Sequence, residues 1–190
     1  MQPPVTAVYD ANILYPAALR DLFIRLAQAG LVRAKWTDAI HDEWLRNVRK
    51  DNPLLSPDRL VRTRELMNEA VRDCLVARYE DLIDSLTLPD PDDRHVLAAA
   101  IRAGAEVIVT CNLRDFPREI LARHDIEALH PDDFLVKLLD HAPGVVCAAV
   151  QRQRESLRNP PKTVEELFTA LEHQGLPQAI ARLREIVANC

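Results

Sequence analysis

Carboxylates stand at four places in this sequence where the surrounding pattern would aim them toward one another. Asp10 closes the apolar run of "TAVYD", Glu43 stands beside Trp44, Asp90, Asp92 and Asp93 crowd "LPDPDDRHVL", and Asp115 follows "EVIVTCNLRD". An acid that ends a buried strand needs a partner, because an uncompensated charge is costly away from water. Several acids at one place repel each other and raise one another's pKa unless something positive holds them together. Mg²⁺ or Mn²⁺ suits such a set, since hard cations take oxygen ligands and no His or Cys set accompanies the acids. Two such ions, roughly 3.5–4 Å apart, activate water and stabilise the leaving oxygen of a phosphodiester. The residues therefore suggest a metal-dependent nuclease.

Each acid also has an ordinary use. Asp90, Asp92 and Asp93 with Pro91 suit a helix N-terminus, Glu43 suits a solvated helix face, and Asp115 suits a cap on the "FPREIL" turn. The weight rests on their joint placement, which depends on the elements around them.

Val5–Asp10 is a β-branched run, followed by Leu19, Leu22, Phe23, Leu26 and Ala27 at helical spacing up to Gly30. A second strand over Val32–Trp36 leads to Thr37, an N-cap for a helix whose inner face carries Ile40, Trp44 and Val48. After the loop "NPLLSP", a third helix is expected from Pro57 to about Arg78, with Leu60, Arg64, Met67, Val71 and Cys74 along one side. Ser85–Leu88 reads as a short strand, and Asp90–Pro91 opens a helix that stops at Gly104. "EVIVTC", residues 106–111, reads as the last strand, covered on both faces. This alternation predicts an α/β sandwich with a mostly parallel sheet, whose ligands sit beyond the carboxyl ends of the strands.

The alternation stops near Asp140. Residues 1–140 are expected to form the catalytic domain and 141–190 a helical extension of three helices, broken at "NPPK" and "QGLP", with Thr163 and Glu166 spaced as a capping box. The extension carries six Lys or Arg against five Glu, so the net charge of −5 resides in the first part. Such a total offers no global attraction to phosphate, but carboxylates gathered around a metal produce it as well. Cys74, Cys111, Cys147 and Cys190 lack a CxxC pairing and read as reduced thiols. No membrane span or signal peptide is recognisable, so a cytoplasmic location is expected. A dinucleotide enzyme lacks its GxGxxG, and a haloacid-dehalogenase-type phosphatase needs an acid where Asn12 stands.

The segments "VYDANILYPAALRDLF", "EW" at Glu43–Trp44, "LPDPDDRHVLAAAIRAGAEVIVTCNLRDFP" and "RNPPKTVEELFTALEHQGLP" together resemble a PIN-domain protein, specifically a VapC-type toxin ribonuclease of the subgroup with a helical C-terminal extension. The resemblance implies a PIN-like α/β/α sandwich and an endoribonuclease that uses Mg²⁺ or Mn²⁺ and leaves a 5′-phosphate. It implies Asp10 as the central ligand, Glu43 as the second acid, and Asp93, with Asp92 the alternative, as the third. Many relatives carry a fourth acid two residues after the strand-ending Thr. Here Thr110 is followed by Cys111 and Asn112, so Asp115 either supplies that charge or holds a water beside it. Thr110 and Asn112 are implied as supporting residues, and Arg20, Arg46, Arg94 and Arg114 as contacts to the RNA backbone. A small antitoxin protein and a homodimer are the implied partners. A non-catalytic PIN-like binding module is the alternative that Asn112 leaves open.

Overall fold

The computed structural model describes residues 4–188. Its centre is a four-stranded sheet in which β1 (Val5–Tyr9), β2 (Val32–Lys35), β3 (Val107–Val109) and β4 (Glu127–Leu129) lie in the order β2-β1-β3-β4, every pairing parallel. Ala7, Val8 and Tyr9 of β1 and Ile108 and Val109 of β3 are fully or almost fully buried, as central parallel strands covered on both faces should be. The chain leaves β1 toward β2 on one side and returns through β3 on the other. The carboxyl ends of β1 and β3 therefore form the topological switch point of the sheet, where open α/β sheets hold their ligands.

A short helix α1 (Ala11–Leu14) follows β1 directly, and α2 (Ala17–Gln28) restarts after Pro16 and buries Leu19, Leu22, Phe23 and Leu26. Gly30, at φ +78°, makes the left-handed turn into β2. Thr37 caps α3 (Asp38–Asp51) by accepting from the Ile40 N–H at 3.1 Å, and α3 buries Ile40, His41 and Trp44.

Two elements differ from the sequence expectation. The third helix, α4 (Pro57–Ala70), ends eight residues before Arg78. Beyond it the Cys74 carbonyl accepts from Trp36 N–H and Val76 N–H donates to the Trp36 carbonyl, both at 2.9 Å, so the chain pairs with the end of β2 instead of continuing to coil. Val71 and Cys74 keep helical spacing but are buried from this non-helical backbone. Ser85–Leu88 forms no strand. A short helix α5 (Glu80–Ile83) precedes it, and the Ser85 and Leu86 amides bond back to Leu82 and Ile83 instead of to a sheet.

The turn at Pro91–Asp93 leads into α6 (Arg94–Ala103), which buries Val96 to Ala100 and ends at left-handed Gly104. After β3, a 3-10 turn at Leu113–Asp115 and a short helix α7 (Arg118–Leu121) lead to β4. "EVIVTC" is thus not the last strand. β4, "EAL", has no β-branched run to announce it.

The remaining helices are α8 (Pro131–His141), α9 (Pro143–Ser156), α10 (Val164–His173) and α11 (Pro177–Ala188). The capping box of Thr163 and Glu166 opens α10 as expected. These helices share one continuous core with the sheet layer: α9 packs on α2, α11 on α8, and the rings of Phe23 and Phe134 stack at 6.2 Å. Asp132, buried on α8, accepts from the Gln178 and Ala179 amides at 3.0 and 2.8 Å and so caps the start of α11. No helix among the described residues is long and apolar enough to cross a membrane.

Candidate metal centre

Asp10 is only 3% exposed at the end of β1, and burial is the largest cause holding its pKa above the usual carboxylate range. Its orientation is fixed by three donors. Oδ1 accepts from the Ala11 N–H at 2.6 Å; Oδ2 accepts from Thr110 Oγ1 at 2.7 Å and from Asn12 Nδ2 at 2.5 Å. Asn12 also touches Thr110 Oγ1 at 3.1 Å, and its Oδ1 accepts from the Cys111 N–H at 3.0 Å. Asn12 thereby ties α1 to the end of β3 and sets the spacing of the two strand ends. The "DAN" signal for this role is in the sequence, where Asn12 served only to exclude a phosphatase.

Asp93 is the electrostatic centre. Burial, then the charges of Asp10, Asp90, Asp115 and Glu43, push its carboxyl up to about 7. Its Oδ2 is buried without a hydrogen-bond partner. Ligand oxygens of Asp90, Asp93 and Asp115 lie within 4.8 Å of one another. Asp93 is therefore within electrostatic reach of Asp10, Glu43 and Asp115, which come from three other segments, although Asp10 and Glu43 lie outside the group whose oxygens meet within 4.8 Å. Asp92 is not in the close group: it is exposed, and its N–H donates to the side chain of Asp90 at 2.9 Å. Asp93, expected ahead of Asp92 as the third acid, is in the group, and exposed Asp90, absent from the ligand set expected from sequence, stands beside it.

His95 is a second residue that the sequence pattern did not single out. It follows Asp93 by two positions on α6, and its Nε2 lies 3.6 Å from Glu43 Oε2. Its Nδ1 is buried without a partner.

The supporting residues are placed at the same edge. Thr110, fully buried, donates to Asp10 and accepts from the Asn112 N–H at 3.0 Å. Asn112 donates its amide to Asp115, while its Oδ1 accepts from Arg114 Nε at 3.1 Å. Asp115 thus sits in the turn after β3 and does not cap the "FPREIL" helix, whose N-cap is Pro117.

The four arginines differ in freedom. Arg20 packs 4.9 Å over the Trp44 ring and donates to the Leu14 and Tyr15 carbonyls at 2.5 and 3.3 Å, so its guanidinium closes the turn behind Asp10. Arg94 Nε donates to the Pro91 carbonyl at 2.9 Å. Arg114 is exposed, 3.8 Å from Asp115, and Arg46 is exposed on α3.

The fold and the acid constellation have a counterpart among known proteins. A family model described as "PIN domain" matches residues 6–114. The chain belongs to the PIN-domain family. A second model, "VapC50 C-terminal domain", matches residues 131–185, which span α8 to α11. The chain is 44% identical over 108 residues to "Putative ribonuclease VapC50" of Mycobacterium tuberculosis (strain ATCC 25618 / H37Rv), a match covering 57% of this chain and 63% of that protein. No solved structure matches the chain.

As a PIN-domain site, the donor set fits a hard divalent cation. The donors are oxygens, one of them is buried and unsatisfied, and the neighbouring charges conflict unless a cation is shared among them.

Proposed function

We propose that this PIN-domain chain is a Mg²⁺- or Mn²⁺-dependent endoribonuclease and the toxin of a toxin–antitoxin pair, working in the cytoplasm. The observation that carries the reading is the convergence on Asp93 of Asp10, Glu43, Asp90 and Asp115 at the switch point of the sheet. The 44% identity to a protein named a ribonuclease supports it.

Asp10, Glu43, Asp93 and Asp115 are the catalytic acids, and Asp90 joins them as a ligand. These residues would hold a divalent cation, which when bound would supply polarisation of the phosphodiester and activation of a water near neutral pH. Asp10 is held rigid by Thr110, Asn12 and the Ala11 amide, so its carboxylate is presented to a ligand from the strand ends and not from a mobile loop. Asp93 offers its unsatisfied Oδ2 inward. Glu43, braced by His95, closes the side formed by α3. Hydrolysis breaks the P–O3′ bond and leaves a 5′-phosphate and a 3′-hydroxyl. Arg114 and Arg46 neutralise phosphates of the bound strand, and such contacts position RNA without reading its bases. An antitoxin that masks the acids with a cationic side chain, and a second copy of the toxin, are the partners of this reading.

Induction of the wild-type chain in cells is expected to arrest growth and produce new RNA ends, and Asp10→Asn to abolish both while circular dichroism stays unchanged. Full toxicity of Asp10→Asn would overturn the site assignment. One observation favours a second reading, a non-catalytic binding module: both polar ends of the Asn112 amide are committed, to Asp115 and Arg114. Calorimetric titration with Mn²⁺ decides between them, since the module shows no carboxylate-dependent heat.

A further inference from the structure

Helix α3 carries Glu43 into the acid cluster and then continues past it with Arg46, Asn47, Arg49 and Lys50, all exposed. Arg46, Asn47 and Lys50 stand three, four and seven residues after Glu43, which places them on the face that Glu43 occupies. At 1.5 Å per residue the row extends about 10 Å from the acids. Arg46, Arg49 and Lys50 also line a shallow groove of about 600 Å³ between α3 and the loop before α4. The chain's net charge is −5, so this is a local reversal of sign.

Among the described residues the fold engages none of these three charges in an ion pair, whereas two of the three cations of α4 are so engaged: Arg62 meets Glu65 at 3.1 Å, and Arg64 meets Asp38 and Asp42 at 2.5 and 3.0 Å. The acids of α3 that stand near them are committed elsewhere, Asp38 and Asp42 to Arg64, and Asp51 to the Tyr15 hydroxyl at 2.7 Å. Favourable placement near a helix C-terminus accounts for Arg49 and Lys50, which lie in the last turn, but not for Arg46 inside the helix.

The geometry points to a backbone track for single-stranded RNA along α3, in which Arg46, Arg49 and Lys50 hold the phosphates on one side of the scissile bond at Glu43. This inference rests on the ribonuclease reading and assigns its substrate path. The track contacts phosphates, so it binds any single-stranded sequence.

The test uses the full chain with Asp10→Asn, so that RNA is bound and not cut, and a single-stranded RNA of about ten nucleotides as probe. Fluorescence anisotropy over a range of KCl concentrations, without divalent ions, gives the slope of log affinity against log salt. Replacing Arg46, Arg49 and Lys50 by Gln is expected to reduce that slope by about 0.7 per contact, about 2 in the triple variant. Arg62→Gln, which removes a paired cation, leaves the slope unchanged. A folded triple variant with the parental slope overturns the track, and so does a parent that fails to bind. Failure of the ribonuclease reading is distinguished separately, by absence of cleavage when the wild-type chain is given Mn²⁺.

Discussion

Asp93 joins a carboxyl pushed up to about 7 to a buried oxygen with no partner. In the unfolded chain the same group loses its proton near pH 4. Between about pH 4 and pH 7 the folded state therefore binds more protons than the unfolded state, and metal-free stability falls as pH rises through that window. Asp10, also raised, acts in the same direction. Asp93→Asn is expected to flatten the pH dependence of the metal-free Tm and to stabilise the protein at pH 7 by about 1–2 kcal/mol, discounted for partial exposure. Thermal unfolding from pH 5 to 8 measures it. His41, whose pKa is lowered by burial, cancels in that comparison because both proteins contain it. Added Mn²⁺ should raise the wild-type Tm more than that of Asp93→Asn, since it binds only the folded acid set. Asp10 was legible in the sequence because a carboxylate that closes a buried apolar run requires a compensating group close by. The part of Asp90 was not, because Asp90, the cap before the 3-10 turn Pro91–Asp93, meets Asp93 and Asp115 through a contact between distant segments that the local sequence does not encode.

At the scale of elements, strands and helices with strong periodicity appeared where the pattern put them: β1, β2, β3, α2, α3, α6 and the three helices after Pro143. The failures have physical causes. Val71 and Cys74 continue the helical spacing of α4, but competition from backbone pairing with Trp36 ends the helix at Ala70. β4 is a three-residue strand that gets its amide partners from β3 and needs little propensity of its own. One helix end that the sequence did not announce can be weighed. Asp132→Ala leaves the Gln178 and Ala179 amides at the start of α11 without their acceptor. The expected cost is about 1–2 kcal/mol in urea unfolding, with the acid cluster untouched. A loss below a few tenths of a kcal/mol would mean that water replaces the cap.

Across the whole molecule, the helices after His141 behave as a wall of the main core. Gln153 Nε2 donates to the Ala18 carbonyl and Gln174 Oε1 accepts from the Leu19 N–H, both at 2.8 Å, so α9 and the end of α10 hold the start of α2 in place. α2 in turn supplies Arg20, which closes the turn behind Asp10. We propose that the extension, 141–190, is a structural part of the nuclease and not a separable domain. A chain ending at His141 exposes Phe23, Phe134 and their neighbours and is expected to lose cooperative unfolding and metal binding together. The sequence marked where the alternation of strands and helices stops, but not that the later helices share a core with the earlier ones, because contacts between distant segments leave no local periodicity.

Everything proposed for the site depends on the acids around Asp93 holding a divalent cation and on the chain cleaving RNA only when it is held. The direct test is to incubate the purified full chain with single-stranded RNA, with Mn²⁺ or with EDTA, and to sequence the new ends that carry a 5′-phosphate. Such ends are expected with Mn²⁺ alone, at a rate lowered roughly 10³-fold or more by Asp10→Asn. Cleavage that persists in EDTA, or that proceeds at the wild-type rate in Asp10→Asn, would contradict this assignment.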